Sequence, residues 1–291
     1  MNRIILTILA LLALVLPMSA QEHYFPYPQV PDTMSTLRQR CDFLVTHFWD
    51  RCELKKAFSA KAKMAKAFDD YMSFIPYASA DTVYASIARL MKRLEKQPKD
   101  QTFIMEQVEK TCYTDTAEYR SDDLFLAFAR PYTANKKVDK KDKQRITQMM
   151  TTLENTKLKS KAPVFTYIDR NGERHSSTET LSQMSIIFFV TPDCTECTLD
   201  RARLNADIKT TKLINDGILK VFVIYPGDDT EEWKKAAAGY PADWIVGASP
   251  GIDKIYDLRQ MPSFYLIYGN GRIQAKGINI DALLAFINYK L

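Results

Sequence analysis

The chain has 291 residues, with 40 Lys and Arg against 35 Asp and Glu. That is length for two domains, and a formal charge of +5 is too mild to argue for a nucleic-acid partner. Beyond the N-terminal segment, no stretch is long and apolar enough to cross a bilayer.

At the start, Asn2 and Arg3 precede the apolar run IILTILALLALVLPMSA. A short basic head, an apolar core and a small residue at Ala20 read as a secretory signal peptide over residues 1–20, cleaved before Gln21. The run is short for a membrane anchor, and no Cys follows it to take a lipid. Its removal takes away Arg3, so the formal charge falls from +5 to +4. The expected protein is exported, into a periplasm, with no membrane span after cleavage. All five cysteines lie in the exported part, where close thiols can cycle and spare ones can pair.

From Asp32 to Leu158 apolar residues recur at helical spacing. Met64, Phe68, Tyr71, Met72 and Ile75 form one stripe, Val83, Ile87, Leu90, Met91 and Leu94 a second, and Ile146, Met149, Met150 and Leu153 a third. Asp32 and Thr33 are candidate caps for a helix carrying Leu37, Cys41, Leu44 and Phe48. Pro76, Pro98 and Pro131 fall where helices should stop. Residues 21–158 therefore read as an all-helical domain of about six helices. Its Met and aromatic stripes are core before they are a binding groove, and NKKVDKKDKQR (Asn135 to Arg145) is a solvated linker and helix start.

The period changes in residues 159–291. PVFTYID alternates and is followed by an Asn-Gly turn and ERHSS, a hairpin. MSIIFFV is a continuous apolar run of strand length, as suits a strand covered on both faces. LDRARLNADIKTTKLIND predicts one helix ending near Gly217, and ILKVFVIY the next buried strand. TEEWKKAAAGY is a helix with a Thr cap and Glu in its first turn. PSFYLIYGNGRIQAKG is a hairpin turning at GNG, and IDALLAFINYK a closing helix. Strand–helix–strand units imply a parallel core, edged by the final hairpin.

Cys194 and Cys197 sit between the MSIIFFV strand and the helix after it. A C-x-x-C in that place resembles the thioredoxin fold. The opening hairpin APVFTYIDRNGERHS resembles the start of exported TlpA-like thiol–disulfide oxidoreductases, and DLRQMPSFYLI matches that family's cis-proline at Pro262, preceded by Met261. The resemblance covers Ala162 to Leu291. The helical half resembles, more loosely, an uncharacterised domain that precedes thioredoxin modules in some exported bacterial proteins. The expected fold is thus an α/β thioredoxin-like C-terminal domain, a mixed sheet flanked by helices, after a separate all-α domain.

The chemistry expected is disulfide exchange with protein thiols or disulfides, needing no bound cofactor but an electron donor that the sequence does not name. Cys194 would sit at the N-terminus of the helix, where unpaired N–H groups and the positive end of the dipole favour its thiolate. Cys197, about a turn further on, would resolve the mixed disulfide. Met261 and Pro262 would bind an extended substrate, through the free N–H and carbonyl of Met261. The chain departs from the family at Asp193, where many members carry Trp, and at Thr195–Glu196, which lacks the common proline. Both acids should raise the Cys194 pKa, favouring a reductase or isomerase over a strong oxidase. Thioredoxins often bury an acid six residues before the first Cys; Phe188 holds that place, leaving Cys197 without an evident proton acceptor. Glu231 or Glu232 would serve if their helix reaches the site.

Other readings compete. A zinc site wants four ligands, and His23, His47 and His175 are isolated in the sequence. Thr191 stands three before Cys194 as in peroxiredoxins, but the proline expected four residues earlier is Ile187. A static disulfide in a redox-inactive binding module is the non-enzymatic alternative. Cys41 and Cys52 would lie about 16 Å apart on one continuous helix, beyond the roughly 7 Å that a disulfide spans. Cys112 could bridge to either, but all three read first as small buried apolar residues.

Overall fold

The computed structural model describes residues 24–179 and 184–290; the expected signal peptide lies outside them. The chain forms two compact units that divide between Val138 and Asp139, apart from Thr114–Thr116, which groups with the second.

The regular elements of the first unit, among its described residues, are all helical. The unit runs α1 (Leu37–His47), α2 (Leu54–Ala57), α3 (Lys61–Phe74), α4 (Ala80–Arg93), α5 (Pro98–Val108), a π-helical turn (Glu109–Tyr113) and α6 (Asp122–Ala134). The first two stripes are core: Met64, Phe68, Tyr71 and Met72 of α3, and Ile87, Leu90 and Met91 of α4, are buried. A polar thread runs through them. The Tyr71 hydroxyl donates to Ser86 Oγ (3.0 Å), which donates to the Val45 carbonyl (2.6 Å). Two boundaries differ from expectation. The cap of α1 is Thr36, which forms a reciprocal capping box with Gln39, and this outcompetes Asp32 and Thr33. Pro131 lies inside α6 and does not end it. It falls in the last turn, where its missing N–H costs one bond, and buried Tyr132 beyond it, bonded to Thr102 Oγ1 at 3.0 Å, holds the turn in place.

The second unit begins with α7 (Lys140–Asn155), capped by Asp139. The contacts thus group α7 with the sheet, whereas the sequence pattern puts the boundary after residue 158. The α7 stripe is of the same kind as the two before it, but Gln148 Nε2 donates to the Lys254 carbonyl at 2.6 Å and Thr152 Oγ1 to the same oxygen at 3.4 Å. Period alone does not tell which core a helical stripe faces.

Then come β1 (Thr166–Asp169), β2 (Arg174–Ser176), β3 (Met184–Phe189), α8 (Thr195–Ala206), α9 (Ile208–Asn215), β4 (Leu219–Tyr225), α10 (Glu231–Ala237), β5 (Ile245–Ala248), β6 (Ser263–Tyr268), β7 (Arg272–Ile278) and α11 (Ile280–Lys290). The strands form one sheet in the order β2-β1-β5-β4-β3-β6-β7. Its centre, β3, β4 and β5, is parallel, and the hairpins at both edges are antiparallel. The apolar run of β3 serves two faces. Ile186, Phe188 and Val190 join a core with Leu204, Trp233, Leu283 and Ile287 of the helices, while Ile187 and Phe189 join Phe165, Phe222, Tyr256 and Tyr265 on the other side.

Two features of this unit escaped the sequence pattern. The helix expected to run to Gly217 breaks at Asp207, which ends α8 and caps α9 by accepting the Thr210 N–H at 2.8 Å. Strand β5 was not expected; it slots between β1 and β4. Gly247 permits the fit, since a Cβ there would meet the Ile168 carbonyl oxygen at 2.7 Å.

Candidate functional site

The site sits at the C-terminal end of β3, where ligands gather in open α/β sheets. Val190 extends the strand by donating to the Ile224 carbonyl at 3.1 Å. Four residues later Cys194 is the cap of α8, with extended backbone angles, and its sulfur accepts the N–H of Cys197 at 2.9 Å. The two cysteines are disulfide-bonded, with Cα atoms 5.2 Å apart. They differ in environment: Cys194 is half-buried, whereas Cys197 is 1% exposed in the core beside the helices. A cap position leaves the first N–H groups of the helix unpaired, so negative charge on Cys194 is favoured there.

The Met261–Pro262 peptide bond is cis. Ser263 pairs with Phe189 across β6 and β3, so Met261 and Pro262 lie at the same end of the sheet as the turn that carries Cys194. A buried clasp anchors this loop. Arg259 Nε donates to Asp257 Oδ1 at 2.7 Å and Nη2 to Oδ2 at 2.5 Å; Lys276 Nζ is 3.8 Å from Oδ2, and the Tyr265 hydroxyl donates to the Asp257 carbonyl at 2.8 Å.

Phe188 is buried and stacks on Phe264 with ring centroids 4.2 Å apart, so the position of the usual thioredoxin acid is fully apolar. A different carboxyl is available. Asp200 is 6% exposed and shares the buried face of α8 with Cys197 and Leu204. Residues three apart on a helix are neighbours, with Cβ atoms about 5–6 Å apart. Asp200 makes no hydrogen bond or ion pair among the described residues. Burial pushes its carboxyl above the ordinary range, nearby Glu196 adds to this, and Arg203 partly opposes it. Sequence reasoning missed Asp200, although its i+3 spacing from Cys197 was a usable signal.

Helix α10 reaches the site. Glu232, but not Glu231, lines a cavity of about 490 Å3 together with Asp193 and Cys194. Glu231 instead pairs with Lys234 at 2.9 Å. The hydrogen bond that the Glu232 carboxyl donates to Asp193, and then the Asp193 charge, raise the Glu232 carboxyl above its ordinary range. The other cysteines, Cys41, Cys52 and Cys112, are free and buried. Burial pushes the thiols of Cys52 and Cys112 up to about 11, which suits packing and not exchange. His175 is less isolated than its sequence position suggests: its Nε2 lies 3.0 Å from Asp169 Oδ2, with Glu173 nearby. The Asp169 carboxylate already accepts the N–H groups of Asn171 and Glu173.

Residues 13–156 match a family model described as a domain of unknown function, DUF5106. No curated protein matches the sequence. Among solved structures, a thioredoxin-like protein from Bacteroides caccae is 22% identical, with a TM-score of 0.72 over 92% of this chain and 99% of its own. A conserved protein of unknown function from Bacteroides fragilis is 28% identical over 45% of this chain and 98% of its own, with a TM-score of 0.43. The thioredoxin domain of a thiol-disulfide oxidoreductase from Bacteroides vulgatus is 22% identical over 45% and 96%, with a TM-score of 0.38. The first of these, together with the mixed sheet flanked by helices, makes the second unit thioredoxin-like in fold.

Proposed function

We propose that this protein is an exported, periplasmic thiol–disulfide oxidoreductase of the TlpA-like kind, exchanging disulfides with protein substrates through Cys194 and Cys197. One observation carries the reading: Cys194 caps α8 with its sulfur on the Cys197 N–H, while Cys197 lies buried behind it. In the reduced state that N–H and the helix dipole hold the Cys194 thiolate. The thiolate attacks a substrate disulfide, one substrate sulfur leaves as thiolate, and a mixed disulfide forms. The Cys197 thiol gives its proton to Asp200 and attacks the Cys194 sulfur, releasing the second substrate thiolate and closing the Cys194–Cys197 bond. Asp200 is thus the proton acceptor in place of the acid absent at Phe188. Met261 and Pro262 bind the substrate chain, through strand-like pairing with the Met261 backbone. Asp193 and Glu196 oppose negative charge on Cys194, so the protein works as a reductase or isomerase more readily than as a strong oxidase. The exchange itself takes no bound cofactor.

The Cys197→Ser variant, mixed with the exported protein pool, is expected to accumulate disulfide-linked partners on Cys194 that dithiothreitol releases for mass spectrometry. Accumulation on Cys194→Ser instead would reverse the two roles. A Cys194–Cys197 bond that resists strong dithiol reductant would leave only the static binding module.

A further inference from the structure

The cavity beside Cys194 holds more charge than exchange with a polypeptide requires. At about 490 Å3 it is within the size range of small-molecule sites, and its walls come from α8, α10 and the turns beside them. The Asp193 and Glu232 carboxyls are joined by a hydrogen bond, and neither has a cation partner among the described residues. Arg201 enters the same cavity. Its Nη1 donates to the Gly239 carbonyl at 2.8 Å and its guanidinium lies over the Tyr240 ring, 5.2 Å from the centroid. These contacts fix the guanidinium but do not neutralise it. Lys235 is the second cation in the wall, and neither it nor Arg201 makes an ion pair among the described residues. Two carboxyls and two cations, each without a charged partner of the opposite sign, therefore share a cavity with the attacking sulfur.

A ligand that satisfies such a site carries an ammonium for the carboxyls and a carboxylate for the cations, on a scaffold that brings sulfur to Cys194. We propose that the cavity is the binding site of a low-molecular-weight disulfide of two α-amino acids, of the cystine class, and that reduced Cys194 attacks it. This inference rests on the redox reading above and names a substrate class for the same thiol. The Cys194 thiolate attacks one sulfur of the small disulfide and expels one amino-acid thiolate. Cys197 then attacks the Cys194 sulfur and expels the second. Two electrons pass from the cysteine pair to the small disulfide, and the two protons of the cysteines end on the two released thiols.

The test uses the full-length reduced protein and four probes: cystine, cystamine (no carboxylates), 3,3′-dithiodipropionate (no ammonium groups) and bis(2-hydroxyethyl) disulfide (neither). The rate of Cys194–Cys197 closure is followed by acid quench, alkylation and mass spectrometry. Each rate is divided by that of dithiothreitol with the same probe, which removes the intrinsic reactivity of the disulfide. The expected result is a corrected preference for cystine of about tenfold or more over each other probe, the scale of one charge-assisted contact. Lys235→Gln should abolish the preference for carboxylate-bearing probes, and Glu232→Gln that for ammonium-bearing ones. Corrected rates equal for all four, or a cystine preference that survives both variants, would overturn the assignment. Closure with no probe at all, the neutral one included, would instead defeat the redox reading itself.

Discussion

At Asp200 a carboxyl stands in the apolar stripe of a helix, a turn beyond a buried sulfur and with no partner of its own. Burial raises its proton affinity, which suits a group that must take a proton from a buried thiol. Asp200→Asn keeps the shape and removes the base. Resolution of the mixed disulfide at pH 7 should then slow on the order of a hundredfold, while the attack by Cys194 changes little. Rapid-quench kinetics with a slow-leaving substrate separate the two steps. Stability should move the other way. A carboxyl whose folded pKa is raised destabilises the fold as pH climbs from the unfolded value, near 3.9, through the folded value. The Asn variant should therefore be more stable than the parent at pH 7 and lose that advantage at low pH. An Asn variant that resolves at the parent rate would leave Asp200 a mere buried acid. At Asp257 the carboxylate is held by a cation: Arg259 grips both oxygens and both side chains are buried, at 5% and 9% exposed. Asp257→Ala strands the guanidinium and should cost about 3–5 kcal/mol, read as a fall in the denaturant midpoint. The loop bearing Met261 and Pro262 should loosen with it.

Asp207 illustrates how one side chain sets the length of two elements. Partial burial pushes its carboxyl up, but bonds from the Asn288 amide, the Thr210 N–H and the Thr210 hydroxyl hold it below its ordinary value. Such a group stabilises the fold above its unfolded pKa, and that stabilisation fades as pH falls through the folded value. Asp207→Ala should cost about 1 kcal/mol at pH 7 and almost nothing near pH 2, a difference that urea titrations at the two values would register. In the sequence Asp207 resembles any polar residue on a solvated helix face, so the break in the helix was invisible. Strand β5 was missed for a related reason: IVGA is four residues long, with no alternation to count, and it exists because Gly247 lets β1 come close. By contrast, five of the six residues of β3 are apolar because the strand faces two cores, and a Cys pair at the head of a helix was readable from the apolar strand before it and the helix after it. Asp200 and Glu232 were harder. Acids on helices are normally solvated, and only the packing of the helices puts Asp200 on the buried face of α8 with Cys197 and Glu232 in the wall of the cavity that Cys194 lines.

Helix α7 decides where the molecule divides. The family match ends at residue 156 and so counts α7 with the helices before it. The contacts count it with the sheet, through the bonds of Gln148 and Thr152 to Lys254 and of Thr156 to Tyr265. Just past the helix, the Lys159 N–H donates to the Ile273 carbonyl at 2.8 Å. Two fragments separate the alternatives. The one spanning residues 139–291 keeps α7, with its buried Ile146 and Leu153; the one spanning 159–291 does not. Burial of two such side chains contributes about 3 kcal/mol or more, and the polar contacts add to it. If α7 belongs to the α/β unit, the longer fragment should unfold in a single transition at clearly higher urea than the shorter one. It should also close its Cys194–Cys197 bond as the whole chain does. Equal midpoints would return α7 to the helical unit and move the boundary back to the family limit. Because m follows the surface exposed on unfolding, a larger m for the longer fragment would show that the helix unfolds together with the sheet and is not a frayed extension of it.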